Sequence, residues 1–217
     1  MADFAILRRK MVDNQLRTSN VTDRRVLAAM GDVPRERFVP DGRRELAYAD
    51  LAHPLGGGRA LGAPAPFAKL LQLAEIAPGD RILDVGAGTG YSTAVLSRLG
   101  GQATALEPDA QLAAAARDNL ASLGVTNAAV IEAGLDGAVL EPRSFDVIIV
   151  DGALESEPAG LLRLLADGGR LVTLLRRGPA ASARIYQRRG DDIGERSEFN
   201  TTLPPLAAER ASDAFVF

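Results

Sequence analysis

A glycine-rich turn at residues 86–90 has the composition of a ligand-binding loop. Before it, Ile82, Leu83 and Val85 form an apolar run that is typical of a buried parallel strand. After it, apolar residues recur at helical spacing from Tyr91. Glycines keep such a turn tight and let backbone N–H groups approach a ligand that a Cβ atom would push away. The strand, the turn and the helix start together predict half of a nucleotide-binding unit.

The spacing of the glycines separates two classes of nucleotide ligand. In the dinucleotide fingerprint, the third glycine follows the second by three residues. Here Gly90 follows Gly88 by only two residues, and Asp84 stands two residues before Gly86. This Asp-x-Gly-x-Gly-x-Gly form resembles the first motif of class I S-adenosylmethionine-dependent methyltransferases.

An acid follows at a suitable place for the sugar of an adenosyl ligand. Residues 102–106 predict the next strand, and Glu107 stands at its end, seventeen residues after Gly90. A carboxylate there accepts hydrogen bonds from both ribose hydroxyls. The alternative interpretation is a structural turn followed by a solvated acid at a strand end. In a βαβ frame, the loop and the acid together favour an adenosyl ligand.

The composition argues against several other classes of function. The chain has 217 residues, a net charge of −3, no cysteine and a single histidine, His53. These values leave no broad basic surface for nucleic acid, no disulfide, and little support for a metal site or a Ser-His-Asp triad. No apolar run reaches the length of a membrane span. We therefore expect a cytoplasmic protein that acts without metal, nucleic acid or membrane; whether it is a monomer or a dimer stays open.

The elements that position the glycine loop follow from periodicity and from helix caps. Before the loop we predict a helix over 3–17 capped by Asp3, a second helix capped by Thr22 and a third over 41–48. An aperiodic loop with three consecutive glycines, over 53–64, then leads to a helix over 66–76. After Glu107, we predict helices over 109–122 and 158–165. The predicted strands after Glu107 cover 128–131, 145–150, 170–175, 183–188, 195–201 and 214–217.

This order predicts an α/β fold with a Rossmann-like, doubly wound methyltransferase sheet. The sheet is expected to be mostly parallel, with antiparallel strands near the C-terminus, because helices no longer separate the strands there. Residues 1–63 would form an N-terminal helical cap and substrate loop, and residues 64–217 the S-adenosylmethionine-binding domain. The two parts are expected to form one structural unit.

The first half of the chain carries more specific motifs. The stretches 11–17 (MVDNQLR), 33–40 (VPRERFVP) and 47–50 (AYAD) resemble the protein-L-isoaspartate O-methyltransferases, and the resemblance extends over about residues 8–175. It implies methyl transfer from S-adenosyl-L-methionine to a carboxylate of isoaspartyl residues in damaged protein, with S-adenosyl-L-homocysteine as the product. It also implies a protein or peptide substrate. The cofactor-binding residues would be Asp84, Gly86, Ala87, Gly88, Gly90, Tyr91, Glu107, Pro108 and Leu135.

The acceptor side departs from the family pattern. Ala60 and Gly62 stand where the family has a threonine and an active-site serine. The stretch 133–135 (Ala-Gly-Leu) stands where the family has a Gly-Asp-Gly turn with an acid near the adenine. The candidates for catalytic roles are therefore Gly62, Arg59 and Asp151. Arg59 would form a fork for a carboxylate, or would be an exposed loop charge. Asp151 would act as a base, or would cap the following helix.

Three hypotheses follow for function. The first is an isoaspartyl O-methyltransferase that has diverged at its acceptor site. A carboxylate needs no general base, since it is already ionised at neutral pH, so loss of the serine would slow the reaction without changing its class. The second is a methyltransferase for another small-molecule or peptide carboxylate or hydroxyl. The third is a catalytically silent paralogue that only binds the cofactor.

Overall fold

The N-terminal part of the protein is a set of short helices. The computed structural model describes residues 3–177 and 180–206. The helical segments are α1 (Phe4–Met11), a wide turn at Val12–Leu16, a 3₁₀ turn at Arg17–Ser19, α2 (Arg24–Asp32), and 3₁₀ turns at Arg35–Arg37 and Asp41–Leu46. The predicted continuous helix over 3–17 therefore widens at Val12. The predicted third helix is present as a 3₁₀ segment.

Acidic side chains begin both N-terminal α-helices. Asp3 accepts hydrogen bonds from the first free N–H groups of α1, as expected. For α2 the predicted cap, Thr22, is wrong by one residue, since Asp23 accepts the N–H groups of Arg25 and Val26. Thr22 instead donates its backbone N–H to the side chain of Gln72.

The segment predicted as an aperiodic loop is a β-hairpin. Its antiparallel strands are β1 (His53–Gly56) and β2 (Arg59–Leu61). Gly57 and Gly58 form the turn with φ values of +57° and +75°, which a residue with a Cβ atom rarely adopts. The loop prediction was wrong because these strands are too short to show alternation in the sequence. The hairpin lies directly over the glycine-rich turn.

The rest of the described chain builds the sheet. The elements are α3 (Pro64–Ala74), β3 (Arg81–Val85), α4 (Tyr91–Leu96), β4 (Gln102–Glu107), α5 (Ala110–Ser122), β5 (Ala128–Glu132), β6 (Phe145–Leu154), α6 (Ala159–Leu162), β7 (Leu165–Arg177), β8 (Ala180–Arg189) and β9 (Asp192–Asn200). The strand order is β5-β4-β3-β6-β7-β8-β9. Strands β3 to β7 are parallel, and β8 and β9 are antiparallel. The predicted fold class is confirmed, and the strand predicted over 214–217 lies outside the described residues.

The bounds of helices α3 and α6 differ from the predictions. Helix α3 begins at Pro64, two residues before the predicted start, because proline suits the first position of a helix. Helix α6 has four residues, since β7 begins already at Leu165. No helix within 3–177 and 180–206 is both long and apolar enough to cross a membrane.

The N-terminal helices share their core with one face of the sheet. Val26 of α2, Phe38 and Phe67 of α3 belong to the same buried cluster as Ile82 of β3. A second buried cluster, which includes Leu83 of β3 and Leu171 of β7, covers the opposite face. This packing places the N-terminal helices and the hairpin against the carboxyl ends of β3 and β4. The division of the chain at residue 63 stays a prediction.

Gln72 joins the two parts of the protein, and its replacement by alanine tests that junction. Its side-chain oxygen accepts the N–H groups of Thr22 and Asp23, and its amide donates to the carbonyl of Asn20. Gln72→Ala should lower the free energy of unfolding by about 1–2 kcal/mol, since three backbone groups lose their partner. Gln111→Ala, at an exposed glutamine, is the control. Equal midpoints of denaturant unfolding for the two variants would contradict this role.

Candidate functional site

The glycine-rich turn has the backbone conformation that the sequence predicts. Gly86, Gly88 and Gly90 all have positive φ values, of +86°, +56° and +93°. The N–H groups of Gly86 and Ala87 donate to the carbonyl of Leu106, so the turn is tied to β4. A Cβ atom on Gly90 would lie 3.1 Å from the Cβ of Ala116 in α5. Gly90 is therefore needed for packing, whereas Gly86 and Gly88 face the hairpin side.

Glu107 is the buried carboxylate at the end of β4. Its side chain is fully shielded from solvent. One oxygen, Oε2, accepts the N–H of Gly88 at 2.7 Å, and the other, Oε1, accepts the N–H of Asp109 at 3.2 Å. Oε1 also lies 3.1 Å from Nη1 of Arg59. Glu107 thus connects the glycine loop, the start of α5 and the hairpin.

Arg59 is not the exposed loop charge that the sequence left open as an alternative. It lies on β2 and is only 8% exposed. Besides its ion pair with Glu107, it donates from Nη2 to the carbonyl of Gly86 at 2.8 Å. The guanidinium therefore spans the ends of β3 and β4, in the place where the sequence predicts a bound donor.

Asp84 lies beneath the glycine turn. Its Oδ2 accepts hydrogen bonds from the hydroxyls of Ser92 and Thr93, at 2.7 and 2.6 Å, while Oδ1 has no partner among the described residues. Burial raises the pKa of Asp84 to about 7, and the negative charge of Asp151 contributes to this rise. Asp84 therefore fixes the start of α4 below the turn. Tyr91 is the first residue of this helix.

Asp151 lies near the carboxyl end of β6. The structure includes it in the strand, so its predicted alternative role as a helix cap is wrong. Burial raises the pKa of Asp151 to about 6, although the positive charges of Arg35 and Arg59 oppose that rise. A carboxyl group with this pKa, near the end of a parallel strand, is suited to exchange a proton near neutral pH.

Arg35 is a site residue that sequence reasoning missed. It is 1% exposed and donates from Nε to the carbonyl of Ala47 and from Nη2 to the carbonyl of Gly62. Its guanidinium carbon lies 4.7 Å from the ring centroid of Tyr91. Burial lowers the pKa of Arg35, and Tyr91 and Asp151 oppose that change. The sequence offers no signal that separates Arg35 from its exposed neighbour Arg37.

Gly62 and His53 lie around this arginine. Gly62 is buried, and a Cβ atom added to it would lie 2.5 Å from Cδ2 of Leu203. His53 is fully buried at the start of the hairpin, opposite Leu61. Burial, together with the charges of Arg35 and Arg43, lowers the pKa of His53 to about 4. The imidazole is therefore neutral at physiological pH.

A cavity of about 540 Å³ lies at the carboxyl ends of β5 and β6. Leu135 lines it, with Ala153, Leu161 and Leu206. Pro108 is exposed just after β4. Sites in doubly wound sheets form at this end of the strands. Of the predicted cofactor residues, the structure thus brings together the glycine loop and Glu107, with Asp84 and Tyr91 below them and Leu135 at the neighbouring cavity.

The residues of the site suit an adenosyl ligand in type and position. Glu107 is a buried acceptor for hydroxyl groups. Because Gly86 and Gly88 lack a Cβ atom, other groups can approach their backbone closely. The space beside them holds side chains of this chain: Cδ1 of Leu206 and Nη2 of Arg59 over Gly86, and Cδ1 of Leu55 over Gly88. These three side chains therefore lie directly against the glycine loop.

Comparison with known proteins gives consistent matches. The family model described as protein-L-isoaspartate(D-aspartate) O-methyltransferase matches residues 7–208. The chain is 42% identical, over 172 residues, to a protein-L-isoaspartate O-methyltransferase from Koribacter versatilis, covering 79% of this chain and 78% of that protein. It is 41% identical, over 199 residues, to the protein of the same name from Methylorubrum extorquens, covering 91% and 86%.

The fold also matches a solved structure. The structure is that of a putative protein-L-isoaspartate O-methyltransferase from Plasmodium falciparum in complex with S-adenosyl-L-homocysteine. The TM-score is 0.79 at 22% identity, and the match covers 93% of this chain and 98% of that one. At this identity, the likeness supports the fold alone.

Removing the charge of Asp151 should stabilise the protein at high pH. The pKa of Asp151 is about 6 in the folded protein and about 4 in an unfolded chain. Between these values the folded state binds more protons, so the free energy of unfolding falls as the pH rises from about 4 to about 6. Asp151→Asn keeps the shape without the charge and should raise the melting temperature by a few degrees at pH 8.

The same substitution should have little effect at pH 4.5, where the wild-type carboxyl is mostly neutral. Asp118→Asn, at an exposed aspartate of α5, is the control and should not show this pH dependence. Thermal unfolding by circular dichroism at both pH values measures the effect. If the Asp151→Asn substitution changed the melting temperature equally at pH 4.5 and pH 8, this would contradict a raised pKa for Asp151.

Proposed function

The chain belongs to the protein-L-isoaspartate(D-aspartate) O-methyltransferase family, and we propose that it methylates a carboxylate of isoaspartyl residues in protein. Membership makes S-adenosyl-L-methionine its methyl donor and the chain an S-adenosylmethionine-dependent methyltransferase. The observation that carries the proposal is the buried Glu107 beside the glycine loop, within a chain that matches this family over residues 7–208. A protein or peptide as acceptor, and a cytoplasmic location, belong to the same proposal.

The donor would be held by residues at the ends of β3 and β4. Glu107 would accept hydrogen bonds from the ribose hydroxyls, and Gly86 and Gly88 would let the backbone approach the ligand. Asp84 and Tyr91 would support the loop from below, and Leu135 would line the neighbouring cavity. When bound, the donor supplies a methyl group that its sulfonium already activates.

The acceptor side needs orientation more than it needs a base. A carboxylate is ionised at neutral pH. Methyl transfer to it therefore depends on alignment with the donor and on the exclusion of water. Arg35 supports this alignment, because it fixes the backbone of Gly62 from a fully buried position. Gly62 itself would contribute its backbone in place of the serine side chain.

A second candidate function is methylation of another small-molecule or peptide carboxylate or hydroxyl. Leu203 fills the space in which a side chain at position 62 would lie, so restoring the serine requires Leu203 to move. Asp151, with a pKa of about 6, is suited as a general base toward a hydroxyl. These two observations favour an acceptor other than the isoaspartyl carboxylate.

Methyl transfer to matched peptides tests the choice between these functions. We expect labelled methyl groups from S-adenosyl-L-methionine on an isoaspartyl peptide, as a base-labile ester, and none on its normal aspartyl twin. The twin controls for sequence and charge, because it differs only in the position of the peptide bond. Donor binding without label on either peptide would favour the second function. It would overturn the isoaspartyl assignment.

Glu107→Gln should weaken binding of the donor by about 1.5–3 kcal/mol, or roughly tenfold to a hundredfold, because a charged hydrogen-bond acceptor becomes neutral. The matched control is Glu132→Gln, since Glu132 pairs with Glu107 in register on β5 but is exposed. Isothermal calorimetry with S-adenosyl-L-methionine measures both. Equal affinities of the two folded variants would refute the assignment of Glu107 to the ribose.

A further inference from the structure

A short segment near the end of the described chain extends the sheet beside β6. The N–H of Ala153 donates to the carbonyl of Pro204 at 2.9 Å, and the N–H of Leu206 donates to the carbonyl of Ala153 at 3.0 Å. Ala153 and Pro205 form a parallel bridge. We call residues 203–206 the strap. It lies where β3 has already ended, and therefore at the mouth of the site.

Glycines in three separate parts of the chain make room for the strap. An added Cβ atom on Gly62 would lie 2.5 Å from Cδ2 of Leu203, and one on Gly86 would lie 2.2 Å from Cδ1 of Leu206. On Gly152, it would lie 3.0 Å from the Cα atom of Leu206. Leu203 and Leu206 are each 3% exposed. The strap therefore fits closely against both the acceptor-side position and the glycine loop.

Arg59 fills the polar part of the same space. Its Nη2 lies 2.8 Å from the position that a Cβ atom on Gly86 would take, and it donates to the Gly86 carbonyl. Its Nη1 is paired with Glu107. The strap thus covers the glycine loop with an apolar side chain, while Arg59 satisfies the carboxylate that would hold the ribose.

We propose that the strap and Arg59 form an autoinhibitory contact that competes with the methyl donor for its own site. The inference rests on the donor site of the proposed function and is independent of the acceptor. The donor binds only the fraction of molecules in which the strap has left the glycine loop. The apparent dissociation constant is the intrinsic one divided by that fraction. Weakening the strap therefore raises the affinity for the donor.

Donor affinity of a strap variant tests this competition. Leu206→Ala removes the side chain that lies over Gly86 and should lower the dissociation constant of S-adenosyl-L-methionine about tenfold. Leu46→Ala, at a leucine that is 50% exposed, is the matched control and should leave it unchanged. Calorimetry on the full chain, without any acceptor, measures both. An unchanged or weaker affinity of Leu206→Ala would overturn the autoinhibitory contact.

A fluorescent reporter tests the movement directly and covers the case in which Leu206→Ala does not fold. The chain has no tryptophan, so Pro205→Trp places a single reporter on a half-buried position of the strap. Saturating S-adenosyl-L-methionine should shift its emission to longer wavelength, because the strap leaves the protein surface. Ile6→Trp, on the exposed side of α1, is the control.

The outcomes separate this inference from the proposed function. An unshifted emission of Pro205→Trp at saturating donor would overturn the strap alone, since the donor would still bind. Absence of donor binding to the wild type and to every variant would overturn both the donor site and the strap. Donor binding that displaces the reporter supports the strap whether or not an isoaspartyl peptide is methylated.

Discussion

The burial of the Glu107 carboxylate is the constraint on which the rest of the site depends. A charge removed from water is costly unless partners inside the protein satisfy it. The N–H of Gly88, the N–H of Asp109 and the guanidinium of Arg59 provide these partners. Through them, the acid fixes the glycine loop, the start of α5 and the hairpin in one arrangement.

A second buried cation serves the acceptor side in a different way. Arg35 is surrounded by carbonyl groups and by the ring of Tyr91, so it holds backbone segments rather than a single acid. Its charge also opposes the rise in the pKa of Asp151 that burial causes. Because both arginines act on Asp151, movement of Arg59 would remove one of the two positive charges near that carboxyl.

The strap lies against two glycines on the predicted acceptor side of the site. Leu203 fills the space in which a side chain at Gly62, one of the predicted acceptor-side positions, would lie. Gly152 accommodates the strap in the same manner next to β6. Gly62 and Gly152 therefore both lie against the strap. This favours a common explanation, in which the chain itself covers its site.

The sequence by itself determined the features that depend on neighbouring residues: the positive-φ glycine turn, the alternation of strands and helices, and the acid at the end of β4. It did not determine that Arg35 is buried while Arg37 is exposed, that Asp23 caps α2, or that residues 53–61 form a hairpin. Nor did it place Leu206 over the glycine loop. Local periodicity records which side of an element is buried, but not which distant group meets it. Only the tertiary structure brings together Arg59, Glu107 and the strap, because their contacts join segments that lie far apart in the chain and are held by burial.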